Sequence, residues 1–215
     1  MKPIQKIGVA LGLAFLSSLA QAQLTAIGTF SGAMSDDFES YPDYNDIGFA
    51  GYDTLAIMGG GATLTSNPSG SKQNWIWDDV TATWGLGSSG AALTHSGHQA
   101  LGLYLSGAPV NTGITFSGTV AKWGTWFAAD NAADMTIAFY DGSGGQIGAT
   151  QHVTSADNNM VWIGWSSTVA IKSIAFGGDV TAPVMDDMQA DPVPEPASMA
   201  VFGLAALALR KRRKS

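Results

Sequence analysis

Turn-forming clusters punctuate this chain so often that no long helix fits between them. Gly59-Gly60-Gly61, Asp141-Gly142-Ser143-Gly144-Gly145 and Ser155-Ala156-Asp157-Asn158-Asn159 are the clearest, rich in residues that tolerate the positive φ of tight turns. The stretches between them are short, β-branched and aromatic. Met135 to Tyr140 puts its large apolar residues on alternate positions, the period of a strand with one buried face. Gln146 to Val153 reads as its return strand, followed by Val161 to Trp165 and Val169 to Phe176. Thr54 to Met58 and Ala62 to Thr65 flank the triple glycine. Asn74 to Trp77, Thr81 to Trp84, Gln99 to Leu105, Asn111 to Phe116 and Trp123 to Ala128 complete the set. About ten short strands at this spacing predict an all-β domain, an antiparallel β-sandwich.

The two ends differ from this body. Lys2 and Lys6, an apolar stretch from Ile7 to Leu19 and the small-x-small triplet Ala20-Gln21-Ala22 read as a helical secretion signal over residues 1–22. Signal peptidase is its expected partner, leaving Gln23 as the first residue. At the other end, Val193-Pro194-Glu195-Pro196 precedes an uncharged run, Ala197 to Leu209, and then Arg210-Lys211-Arg212-Arg213-Lys214. The prolines interrupt regular structure, the run predicts a short hydrophobic helix, and the cations hold its end on the cytoplasmic side of a membrane. At ~1.5 Å per residue such a run reaches only about 20 Å into a hydrocarbon core of ~30 Å, so it inserts transiently rather than anchors.

Once both ends are set aside, the charge of the body changes. Residues 23–192 hold three cations, Lys72, Lys122 and Lys172, against sixteen acids, a balance of −13, whereas the whole chain stands at −7. So acidic a body does not bind nucleic acid by neutralising phosphates, and anionic lipid repels it. Divalent cations and neutral glycans are the compatible partners. The chain has no cysteine, which excludes disulfides, thiolate metal sites and cysteine catalysis.

Few residues offer catalytic chemistry. Glu39 is the only glutamate between the signal and Glu195, so a two-carboxylate hydrolase would need an aspartate pair, the alternative reading of a secreted glycan-active enzyme. No Gly-x-Ser-x-Gly elbow occurs. His95 and His98 are separated by a Ser-Gly turn, with no third histidine or cysteine nearby, and read as turn histidines rather than zinc ligands. A non-catalytic protein is expected. Of seven tryptophans, Trp75 and Trp77 lie two apart and share a strand face, where an exposed pair could stack on sugar rings with Asn74, Asp78 and Asp79 as polar neighbours. Trp162 and Trp165 sit in an apolar run and read as core.

Two resemblances follow from these residues. Val193 to Ser215 resembles the PEP-CTERM sorting signal of exopolysaccharide-producing Gram-negative bacteria. The resemblance implies handling by exosortase, and export to the cell envelope or extracellular polysaccharide matrix with a structural or biofilm role. Asp37-Phe38-Glu39-Ser40-Tyr41, then Thr94-His95-Ser96-Gly97-His98-Gln99-Ala100-Leu101, then Met160 to Trp165, Ile171 to Phe176 and Met185-Asp186-Asp187-Met188 are similar in order to secreted jelly-roll carbohydrate-binding modules. That resemblance implies a jelly-roll over residues 23–188 with possible exopolysaccharide binding. It also implies a structural Ca²⁺ between first and last strands, held by Asp36, Asp37, Glu39, Asp186 and Asp187, unless these acids are solvated surface charge. A linker at 189–192 and the sorting signal at 193–215 complete the expected organisation.

Overall fold

The computed structural model describes residues 24–43, 46, 51–66, 72, 74–79, 94–103, 112–129, 134–155, 159–178 and 183–194. The signal segment, the strand expected at 81–84, Glu195 and Pro196, the apolar run and the basic terminus lie outside the described residues, so neither expected flanking helix is among them. What is described is antiparallel β-structure with one 3₁₀ turn, Met58–Gly60. The strands are β1 (Leu24–Ala26), β2 (Met34–Asp36), β3 (Thr54–Ile57), β4 (Ala62–Ser66), β5 (Asn74–Asp78), β6 (Gln99–Leu103), β7 (Thr112–Ala128), β8 (Met135–Tyr140), β9 (Gln151–Val153), β10 (Val161–Gly178) and β11 (Val184–Pro192).

All eleven strands belong to one sheet, ordered β5-β6-β11-β7-β10-β8-β9, with β1 on β10, β2 on β11 and β3-β4 on β7. The sheet curls into two layers because β7 and β10 pass through both. The first half of β7 pairs with β4 (Ile114↔Leu64) and with the end of β10 (Ile114↔Ile174). Its second half pairs with β11 (Phe127↔Met185) and the start of β10 (Phe127↔Val161). Between the halves the β7–β10 register shifts, at Ser166/Ile171 and Ile171/Ser173. Such irregularities let a strand turn a corner from one sheet layer into the next.

The corner changes which residues face inward. In β7 the side chains of the main core are Ile114, Phe116 and Val120 before the corner, then Trp123 and Phe127 after it, so the phase of alternation flips. In β10 they are Ile163, Trp165 and Ile171, then Ile174 and Phe176. The sequence therefore reads as four short strands where the fold has two long ones. All these side chains meet in one core. Trp123 sits at its centre, stacked on Trp165 (6.2 Å between rings, 6° between planes) and edge-on to Phe139 of the opposite layer at 6.1 Å.

Two further expectations are corrected. The return strand at 146–153 is reduced to β9, because the turn after Tyr140 continues to Thr150 apart from the bridge Tyr140↔Gln146 and the buried Ile147. Residues 189–192, expected as a linker, are the end of β11: Gln189 pairs with Gly124 and with Ser35 of β2, and Pro192 pairs with Val120.

Because Trp123 joins both layers, Trp123→Ala should lower the unfolding free energy by about 3–5 kcal/mol in urea denaturation followed by far-UV circular dichroism. A loss below ~1 kcal/mol would mean that the layers do not share this core.

Candidate functional site

The acids singled out in the sequence do gather at one edge of the fold, where β2 pairs with β11 (Asp36↔Met188). What they hold is a peptide loop. Residues 94–98, leading into β6, lie across this edge and receive carboxylates from both ends of the domain. Asp186, fully buried, accepts the backbone N–H of His95 at 2.7 Å and of Ser96 at 3.0 Å through one oxygen, and that of Asp187 at 2.6 Å through the other. Asp187 accepts the Ser96 hydroxyl at 2.9 Å and lies 2.5 Å from His95 Nδ1. From the opening segment, Glu39 Oε1 accepts the N–H groups of His98 and Gln99 at 2.7 and 2.6 Å. Gly97 suits the turn between them. Its φ is +56°, and a Cβ there would stand 2.2 Å from Glu39 Oε1.

Asp36 works in the same way one step further in. It accepts the N–H of Phe38 at 3.0 Å, the Tyr41 hydroxyl at 2.6 Å and the N–H of Met58 at 2.5 Å. Phe38 and Met58 both have positive φ, so this carboxylate fixes two unusual backbone turns. Burial, with Asp36 close by, pushes the Tyr41 phenol well above its ordinary range. Asp37 accepts the N–H of Glu39 at 3.3 Å.

A hard cation needs six to eight oxygens turned toward one point. Here one or both oxygens of Asp36, Asp37, Glu39, Asp186 and Asp187 accept N–H or O–H donors. Among the described residues no group of three His, Asp or Glu side chains could hold a metal. The five acids are close in space, as the resemblance implies, but they tie the first and last strands to the 94–98 loop through charge-assisted hydrogen bonds instead.

All three histidines stand beside an aspartate. His98 lies 2.8 Å from Asp79, whose hydrogen bond and charge push its pKa up, and His152 of β9 lies 2.6 Å from Asp134. His95 differs in also stacking flat on Trp126, with ring centres 3.8 Å apart and planes within 10°.

That stack begins an aromatic line on the outer face of the layer formed by β5, β6, β11, β7 and β10, the face turned away from the core. Trp126 and Trp162 are directly opposed across β7 and β10. Trp162 lies along the sheet over a pair of glycines: a Cβ at Gly124 would come within 2.5 Å of its ring, and one at Gly164 within 2.9 Å. Its Nε1–H donates to Ile27 O at 3.1 Å, fixing its rotation. Trp126 stands at 71° to it on one side and Phe30 at 85° on the other, with centres 6.1 and 5.9 Å away. Beyond Phe30 comes Lys122, its Nζ 5.4 Å from the ring centre and 2.8 Å from Asp191. Phe30, Trp126, Trp162 and Lys122 are half-buried, so each keeps a surface to offer.

Trp75 and Trp77 share the outer face, as their spacing predicts, but do not form an open pair. Trp77 is only 7% exposed; it covers Gly102 and packs with Ala100, Ala128 and Val184 in a small second core. Trp75 stands perpendicular to it at 5.4 Å, half-buried. Asn74, expected as a polar neighbour, faces inward; its amide donates to Ser66 Oγ and accepts from Thr112 Oγ1. Trp165 is in the core as expected, whereas Trp162 is not. The signal for this lay in parity: residues three apart in a strand face opposite ways, so Trp123/Trp126 and Trp162/Trp165 must each split between core and outside.

Comparison with known proteins bears mainly on the chain's end. Residues 192–214 match the PEP-CTERM protein-sorting motif. The motif implies processing by exosortase and marks an exported, surface-sorted protein. No curated protein matches the sequence. Among solved structures, TmCBM61 in complex with β-1,4-galactotriose is similar at 9% identity over 74% of this chain and 99% of that one, with a TM-score of 0.40. The CBM22-1–CBM22-2 tandem of Paenibacillus barcinonensis Xyn10C is similar at 14% identity over 78% of this chain and 49% of the tandem, also with a TM-score of 0.40.

The loop clamp has a pH signature. Burial pushes the Asp186 carboxyl up from 3.8 to about 6, against the N–H donors that favour its charged form. Its contribution to stability is therefore full below about pH 4 and is lost as the pH rises through 6, where the unfolded chain has already ionised. Between these limits the group should remove about 2–3 kcal/mol of unfolding free energy, and Asp186→Asn should lack that slope in urea titrations at pH 4 and 7. An identical slope in the variant would show that Asp186 is not the titrating group.

Proposed function

We propose that this protein is a non-catalytic, exported glycan-binding component of the cell envelope or extracellular polysaccharide matrix, delivered there by exosortase, and that Trp162 is the floor of its contact face. The observation that carries this reading is the ring of Trp162 lying along the sheet over Gly124 and Gly164, with Trp126 and Phe30 raised on either side. The axial C–H groups of a sugar ring form an apolar face that suits a flat indole. Perpendicular rings at the edges limit how the sugar can slide. Lys122, Asp191 and His95 stand beside the aromatics as hydrogen-bond partners for ring hydroxyls.

The charge of the body supports the same reading. A domain with a balance of −13 has little attraction for anionic polymers and suits a neutral or weakly charged glycan. One aromatic floor gives weak binding per site, and a polysaccharide with many equivalent units compensates through effective concentration. A structural role in a matrix needs only this.

In affinity electrophoresis through gels containing the host exopolysaccharide, the exported protein should be retarded. Trp162→Ala should weaken that retention at least about tenfold, as expected for loss of a central aromatic anchor. Lys72→Ala, on the exposed side chain of another segment, should leave it unchanged. Equal retention of the two variants would overturn the assignment to Trp162, and release of shortened glycan by the unaltered protein would overturn the non-catalytic reading.

A further inference from the structure

The end of β11 enters the sorting motif without a linker. The motif match begins at Pro192, a residue still paired with Val120 in the sheet. The next residue continues the ladder: Val193 N–H donates to Thr119 O at 2.9 Å. Val193 is half-buried, and with Pro192 and Pro194 it lines a groove of about 660 Å³ whose other walls include Met34, Phe116 and Lys172.

This end of the strand is fixed from both sides. On one side it follows β7 to the corner. On the other, Gln189 and Asp191 accept the N–H groups of Gly32 and Ala33 at 2.9 and 3.1 Å, and Lys122 holds Asp191 at 2.8 Å. The corner itself is braced by Lys172, whose Nζ donates to Phe116 O, Ser117 O and Gly118 O at 2.6, 2.9 and 3.2 Å. Those carbonyls immediately precede Thr119, the acceptor for Val193. The braced corner thus presents the edge on which the motif's first residues lie.

Enzymes that act on a peptide bond take the chain extended, with its backbone N–H and C=O groups available for pairing, as in strand addition. A segment already paired in a sheet offers those groups only after local opening. We infer that the β-domain gates its own processing: Val193 and Pro194 must peel away from the β7 corner before the sorting motif can enter the processing enzyme. Folding of the domain and release from the membrane are thereby coupled. A chain whose last strand is not yet in place exposes the motif fully, and a folded one exposes it only as often as the end of β11 frays. The inference rests on the sorting reading of residues 192–214.

The test is a pulse–chase of the full chain in an exporting host that carries exosortase, following conversion of precursor to processed form on gels. An insertion of about six Gly and Ser residues between Pro192 and Val193 leaves the residues from Val193 to Pro196 unchanged in sequence and separates Val193 from the strand that pairs it with Thr119. It should speed processing about fivefold, the order expected for relieving one backbone hydrogen bond and a half-buried side chain. Lys172→Ala, which removes the corner brace without touching the motif, should speed it in the same direction, with urea stability of the exported protein confirming that the domain still folds. Unchanged or slower processing of the insertion variant would overturn the gate while leaving the sorting reading intact. A precursor that is never processed, even unaltered, would remove both.

Discussion

The passage of β7 and β10 through both layers is the constraint from which the rest of the structure follows. Two sheets joined by separate strands could slide against each other. Here the same two backbones lie in both, so the layers are fixed by covalent continuity and by the packing of Trp123 against Trp165, Phe139 and Phe176. A core built in this way needs no disulfide, in agreement with a chain that has no cysteine. The corner also decides what the outside of the molecule presents. By reversing the alternation at Val120, it sends Trp123 inward and leaves Trp126 on the outer face, opposite Trp162.

The chain termini of the domain are joined by a different interaction. Asp186 and Asp187 near the end and Glu39 near the beginning all receive donors from residues 95–99, so one short loop ties together segments that lie about 150 positions apart in sequence. The resemblance to calcium-bearing modules singles out these acids, which the structure brings to the ends of the same loop. It does not anticipate that backbone N–H groups engage their oxygens. His95 links the clamp to the outer aromatic line, because the loop that Asp186 holds also lays the imidazole on Trp126.

Much of the fold was legible because its strands are amphipathic and its turns carry glycine and aspartate at the necessary places. Met135 to Tyr140 and Gln99 to Leu103 are strands for the reasons their residues suggest. Failure came where turn-like residues, Ser117-Gly118 in one strand and Ser166-Ser167 in the other, mark a bend within a strand rather than its end. In Thr112–Ala128 and Val161–Gly178 the loss of phase at the corner imitates a strand end. Residues 189–192 read as a linker, although Gln189 pairs with Gly124 and Asp191 is paired with Lys122. The aromatic face was half legible. Spacing correctly gave Trp75 and Trp77 a common face, but burial of Trp77 depends on Ala100, Gly102, Ala128 and Val184, which only the sheet order brings beneath it. Parity alone would have separated Trp162 from Trp165.

On the proposed reading the outer aromatic line meets the ligand, rather than the core tryptophans or the acidic edge. The most direct measurement is the set of indole N–H signals in a two-dimensional NMR spectrum of the ¹⁵N-labelled exported protein, recorded while host exopolysaccharide fragments are added. The signals of Trp162 and Trp126 should move together with increasing glycan while those of Trp123 and Trp165 stay in place. A glycan that binds without moving the Trp162 signal, or fragments that move no indole signal at all, would contradict that reading.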